Sequence, residues 1–113
     1  MISYDIFTQT ELKVGTVKSA ERVAGSEKLL KLAVDLGELT ESGEATHRQI
    51  LAGIGKRYAP ETLAGMQIVV VANLEPRALM GIESQGMLLA ASDDQGPVLL
   101  TPHTPVPAGS GIK

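Results

Sequence analysis

The chain has 113 residues, 43% hydrophobic and 20% charged, the values of an ordinary globular domain and not of a disordered tail or a fibre. It has no cysteine, which excludes disulfides, zinc–thiolate sites and thiol nucleophiles. A net charge of −3 argues, taken alone, against a nucleic-acid binder, yet eight of the ten basic residues lie between Lys13 and Arg57, so a basic face on an acidic protein stays open.

Met1 to Glu11 has no basic n-region and no apolar run, so it does not read as a signal peptide, and a cytoplasmic location is the expectation. A short helical turn is expected over Tyr4 to Thr8. Leu12 and Val14 then share one parity while Val17 and Val23 share the other. A long first strand has to bend between them, and Gly15-Thr16 is where a bulge is expected. Leu30, Leu32, Val34 and Leu36 alternate with Lys31, Ala33 and Asp35, the period-2 pattern of a half-buried strand. Glu38, Glu41 and Glu44 crowd the Gly/Ser/Thr-rich connection that follows. Arg48, Ile50, Ala52 and Ile54 suggest a third strand, with Gly53 and Gly55 near its end. Pro60 to Gly65 has proline at a helix start and glycine at its end. Ile68 to Ala72 is a mostly β-branched run, hence a fourth strand, and it is far too short to span a membrane. Met87 to Ala91 completes five, and Asp93-Asp94 marks a turn beyond it. The tail from Pro97 holds four of the six prolines and reads as extended or looped. Five short strands with a helix between the third and fourth are the order of an OB-fold barrel. The expectation is an all-β single domain over residues 1–113, with the barrel at about 8–92 and an extension over 97–113.

Fragments of catalytic signatures do not complete themselves. Gly53-Ile54-Gly55-Lys56 has part of a phosphate-binding loop, but the signature needs four residues between its glycines and Ser or Thr after the lysine. Arg57 stands there instead, and a turn at a strand end explains the segment. Ser84 lies in Gly81-Ile82-Glu83-Ser84-Gln85-Gly86, where the spacing is wrong for a nucleophile elbow. His47 and His103 are the only histidines and fill neither a structural zinc site nor a triad. No cofactor, metal or catalytic activity is expected. Tyr4, Phe7 and Tyr58 are the only aromatics, so base stacking is poorly equipped. Any nucleic acid would be gripped through phosphates and shape.

The segment from Val71 to Met87, with Asn73-Leu74-Glu75-Pro76-Arg77 and Ser84-Gln85-Gly86-Met87 inside it, closely resembles the signature loop of the tRNA-binding domain family. The likeness continues through Leu12-Lys13-Val14-Gly15, Glu21-Arg22-Val23, Glu27 to Leu32 and Arg48-Gln49-Ile50. Downstream it includes Leu99 to Pro102 and Pro105 to Gly109. That family includes free-standing dimeric tRNA-binding proteins and the C-terminal or β-subunit extension of methionyl-tRNA synthetases. The resemblance implies a non-catalytic OB-fold that recognises tRNA shape and backbone, a homodimer joined through the N-terminal turn and the tail, and a synthetase catalytic subunit as a further partner. Carried over by position, the tRNA-facing residues would be Lys28, Lys31, Arg48, Lys56, Arg57, Asn73, Arg77, Ser84 and Met87. The cations suit phosphates. Asn73 and Ser84 suit sugar or backbone oxygens, and Met87 offers a flexible apolar contact.

Each assignment has a plainer alternative. Lys28 and Lys31 suit a solvated surface equally well. Arg48 shares parity with Ile50 and could cap the barrel end, Asn73 could end a strand through its turn-forming side chain, and Met87 fits a core as well as a contact. Ala78 stands where many relatives carry lysine, which removes one positive charge. Export-type chaperones of the same fold diverge from the Ser84-to-Met87 step.

Overall fold

The computed structural model describes every residue from Met1 to Lys113. The chain opens on one turn of helix, α1 (Tyr4–Phe7), capped by Ser3, whose Oγ accepts from the Ile6 amide at 3.2 Å. Nothing on α1 is buried. β1 (Leu12–Arg22) follows and runs long enough to serve both halves of the barrel. Its first residues pair with β4 (Gln67–Val71) and its later ones with β2 (Leu30–Asp35).

The bend of β1 lies elsewhere than the parity switch suggests. Val17 pairs with Val34 and Ser19 with Ala33, so the extra residue is Lys18. Gly15 has a different task. A Cβ there would come 2.5 Å from Val34 Cγ1 and 2.9 Å from Leu36 Cδ2, so only glycine lets β1 pass so close beneath β2.

In β2, Leu30, Leu32 and Val34 are buried and alternate with half-exposed neighbours, as the pattern requires. β3 (Arg48–Ala52) pairs along its length with β2. The expected helix at Pro60–Gly65 is only one 3-10 turn, Pro60–Thr62. Gly65 ends it early: it adopts φ +90° and donates its amide to Val17 O at 2.8 Å. The turn still sets Leu63, 1% exposed, into the core with Val17, Leu32, Ile50 and Ile68.

Between β4 and the closing strand the chain forms a hairpin that the sequence pattern does not announce: β5 (Arg77–Leu79) and β6 (Ile82–Ser84). Met80 and Gly81 form its tip with φ 50° and 77°, the doubly left-handed turn that matches strand twist. The expected fifth strand at 87–91 is split. β7 (Met87–Leu88) pairs with β4, and after Leu89 the chain turns away as β8 (Ala90–Asp93) to meet β9 (Gly96–Leu99). Pro97 therefore lies in a strand after all. It is tolerated because this two-stranded ribbon has free edges.

The sheet order β3-β2-β1-β4-β7, with the 3-10 turn between β3 and β4, is an OB barrel. The tail is built into it. β10 (Gly111–Ile112) pairs with the start of β1, and Gln67 clasps Val106 through Nε2 to its carbonyl (2.6 Å) and Oε1 to its amide (3.0 Å). No helix is long and apolar enough to cross a membrane.

Candidate nucleic-acid interface

Two places on β3 gather the residues singled out above. The first is the corner beyond its C-terminal end. Gly53 and Gly55 leave room there for the β1–β2 turn: the Gly55 amide donates to Lys28 O at 2.7 Å, and a Cβ on Gly53 would come 2.7 Å from Lys28 Cε. Lys28 lies extended across glycine, and Lys56 follows Gly55 at once; both are exposed. Arg22 joins them. Its Nη1 donates to Gly55 O (2.9 Å) and Glu27 O (3.1 Å), which ties the two loops together under a positive charge. Sequence reasoning misses Arg22 as a site residue, although Glu21-Arg22-Val23 is part of the family likeness. Its parity on β1 does not reveal that the strand end meets Gly55.

Lys31 stands on the outer face of β2, opposite Glu21 of β1, and the two form an ion pair at 2.7 Å. Arg57 points away from the corner toward the β8–β9 turn, where Nη1 meets Asp93 Oδ1 at 2.6 Å. The guanidinium holds the Asp93 carboxyl below its ordinary range through that hydrogen bond, helped by the Gln95 amide, and the Arg57 pKa is raised in return. Arg77 is exposed on β5 and takes part in none of the ion pairs. From its strand the hairpin reaches back to the corner's neighbour: Met80 Cε comes within 3.7 Å of where a Gly25 side chain would begin.

The second place is the other edge of β3. Ser84, expected to reach sugar or backbone oxygens, is 2% exposed. Its Oγ accepts from the Leu51 amide (3.0 Å) and donates to Gly86 O (2.9 Å), so its one hydrogen is committed inside the fold and burial withdraws the oxygen from the surface. Gln85 Oε1 accepts from the Gln49 amide at 2.9 Å, and Gln49 Nε2 donates to Glu83 O at 2.8 Å. Gly86, at φ +150°, packs where a Cβ would meet Val71 O and Ile50 Cδ1 at 3.3 Å. Met87 is partly exposed beside this seam, at 37%.

Arg48 and Asn73 are likewise turned to the fold. Arg48 makes a two-pronged pair with Glu38 (Nε–Oε1 2.8 Å, Nη2–Oε2 2.7 Å) and donates through Nη1 to the carbonyls of Ala72 and Gln85. That hydrogen-bonded pair draws the Glu38 carboxyl below its ordinary range, against the opposing effect of burial. So Arg48 does cap the barrel end, the plainer of its two readings. Asn73 ties down the N-terminal segment, accepting from the Glu11 amide at 2.8 Å and donating to Gln9 O at 2.7 Å. Around Arg48 lies an open cleft of about 410 Å³, walled by Leu74, Pro76 and Thr46. His47 and His103 are both exposed, and neither belongs to a group of three side chains able to hold a metal.

Comparison with known proteins follows the same contour. Residues 12–111 match the family described as "Putative tRNA binding domain". Over its whole length the chain is 54% identical to part of a methionine–tRNA ligase from Methanothrix thermoacetophila, of which it spans only 16%. It is 46% identical, over 98% of its length, to part of the corresponding ligase of Caldanaerobacter subterraneus, again 16% of that protein. Among solved structures, a MetRS related protein from Pyrococcus horikoshii is similar at 36% identity and a TM-score of 0.87, covering 100% of this chain and 98% of that one. The chaperone CsaA of Bacillus anthracis is similar at 33% identity and a TM-score of 0.83, covering 100% and 99%.

Proposed function

This chain belongs to the tRNA-binding domain family, and from that premise we propose that it is a non-catalytic module that grips tRNA by its phosphate backbone and shape. The observation that carries the reading is the corner: Arg22 at the end of β1 ties together the two loops that carry Lys28 and Lys56, all three exposed and outside every ion pair. We count Lys31, Arg77 and Met87, exposed or half-exposed on β2, β5 and β7, among the RNA contacts. Arg48, Asn73 and Ser84 act behind them by holding the fold, and Arg57 stands at the flank paired with Asp93. Phosphates are attracted to such local positive charge even on a net acidic protein, and Glu38 of the acidic loop is already paired with Arg48.

The test is a salt titration of tRNA binding. With about four phosphates neutralised, log K should fall against log salt with a slope near −3 to −4. Different tRNAs should compete almost equally, since backbone contacts carry little sequence information. A flat salt response overturns the reading.

In the ligases of which it matches a part, such a module would hold tRNA for a catalytic region elsewhere; we propose the same service here, to a methionine–tRNA ligase in the cytoplasm. We also propose a homodimer. Two such faces side by side grip a large RNA more firmly than one, and the N-terminal segment through α1 leaves Ile2, Tyr4, Ile6 and Phe7 exposed. The tail contributes less than its composition suggests, because Leu99 is in the core of its own barrel, Val106 and Ile112 are half-buried, and only Leu100 stays well exposed. A second reading, binding of unfolded peptide, is favoured by those same exposed apolar side chains and by the likeness to a chaperone. Suppression of aggregation of an unfolded client in the presence of saturating tRNA would favour it.

A further inference from the structure

A barrel strand needs hydrogen-bonding partners on both edges. β3 finds backbone partners in β2 on one side. On the other side a single backbone bond crosses, Gln85 N to Gln49 O at 2.8 Å. The remaining bonds come from side chains. Ser84 Oγ takes the Leu51 amide, Gln85 Oε1 takes the Gln49 amide, and Gln49 Nε2 reaches Glu83 O. Without Ser84 Oγ, the Leu51 amide in a residue 4% exposed would have no partner.

This seam is continuous with the β5–β6 hairpin. Ser84 is the last residue of β6 and pairs directly with Arg77. At the far end of the hairpin, Met80 Cε lies 3.7 Å from where a Gly25 side chain would begin. Arg77 is thus tied to the barrel through its pairing with Ser84.

We propose that Ser84 and Gln85 are positioning residues: their side chains close the barrel and thereby hold Arg77 over the RNA face, and Ser84 touches no RNA. This rests on the tRNA-binding reading above. Direct contact and positioning make opposite predictions for charge. If Ser84 gave RNA a neutral hydrogen bond, removing its hydroxyl would leave the number of neutralised phosphates unchanged. A displaced Arg77 removes one of them.

The experiment measures tRNA affinity against salt for the wild type, Ser84→Ala, Arg77→Ala and the double variant, with hydrogen exchange at the Gln49 and Leu51 amides. Positioning predicts that Ser84→Ala flattens the slope by about one unit, as Arg77→Ala does. The double variant should then lose no more affinity than the weaker-binding single variant. Leu51 should exchange at least tenfold faster in Ser84→Ala. If Ser84→Ala folds poorly, the exposed Gln85→Ala serves in its place: it should speed exchange at Gln49, while Gln85→Glu, which keeps the acceptor, should not. An unchanged slope in Ser84→Ala, multiplied losses in the double variant, or a still-protected Leu51 amide overturns the proposal. Should the wild type bind no tRNA, the functional reading falls and the positioning role with it, while the exchange data still decide whether the seam exists.

Discussion

The free edge of β3 and the corner beyond its C-terminal end put polar residues to opposite uses. Along Arg48 to Leu51, the polar side chains of the signature are turned to the fold: Ser84 and Gln85 complete the ladder, and Arg48 holds Glu38 and two carbonyls. Beyond Gly53 the backbone is thin, and Lys28 and Lys56 stand in solvent without an acidic partner. Within the segments that carry the family likeness, Ser84, Gln85 and Arg48 thus hold the barrel shut, while Arg22, Lys28 and Arg77 keep a charge outside every ion pair. A motif's specificity marks a structural requirement as readily as a contact.

The sharpest break between the two regions is in stability. Ser84→Ala leaves the buried Leu51 amide without a partner, and should lower unfolding free energy by roughly 1–3 kcal/mol in urea titrations. Lys28→Ala removes an exposed cation and should stay within about 0.5 kcal/mol of the wild type. Equal losses in the two variants would erase the distinction.

Binding should reverse the order. Lys28→Ala with Lys56→Ala should flatten the salt slope by about two units and weaken tRNA binding on the order of tenfold at moderate salt. Different tRNAs should suffer alike. A double variant that binds with the wild-type slope moves the RNA site off the corner.

A third, smaller effect concerns α1, which belongs to neither region. Phe7 is 42% exposed on a helix with no buried residue. Phe7→Asp should shift the proposed dimer toward monomer in sedimentation equilibrium, with the thermal midpoint nearly unchanged at a fixed monomer fraction. A wild type that sediments as a monomer at micromolar concentration removes the dimer altogether.

The barrel is legible in the sequence because its strands are half-buried: Leu30, Leu32 and Val34 must alternate once one face is dry, and β1 to β4 follow from such patterns. The hairpin is hidden. Its arms are only three residues each, too short for alternation to register, and Met80 occupies a left-handed position normally announced by Asn or Gly. The tail misleads for a similar reason. Pro97 argues against a strand in general, yet not in a ribbon with free edges. At the site, Lys28, Lys56 and Arg77 can be picked out by charge. Whether a polar side chain such as Ser84, Arg48 or Asn73 faces water or the fold depends on partners 24 to 64 residues away, which no local pattern encodes.

The smallest effect follows from the two ion pairs that flank these regions. Arg48 holds Glu38 at the seam and Arg57 holds Asp93 beside the corner, and both carboxyls titrate below their ordinary range. A carboxyl whose pKa is depressed by folding stabilises the fold through its ionised form. That contribution is complete above the ordinary carboxylate range, shrinks as pH falls through it, and is gone below the depressed folded values. Stability should therefore be level from neutrality down to about pH 5 and decline below it. The two pairs should not matter equally. Asp93 is half in solvent and Arg57 adds only a long contact to Gly96 O at 3.5 Å, so screening leaves Asp93→Asn with little effect. Glu38 also orients the guanidinium that spans Ala72 and Gln85, so Glu38→Gln should flatten most of the acid decline and slightly loosen the seam. Thermal midpoints across pH 7 to 3 for the wild type and both variants measure this; a steeper acid decline in Glu38→Gln than in Asp93→Asn would show that the corner, not the seam, governs stability.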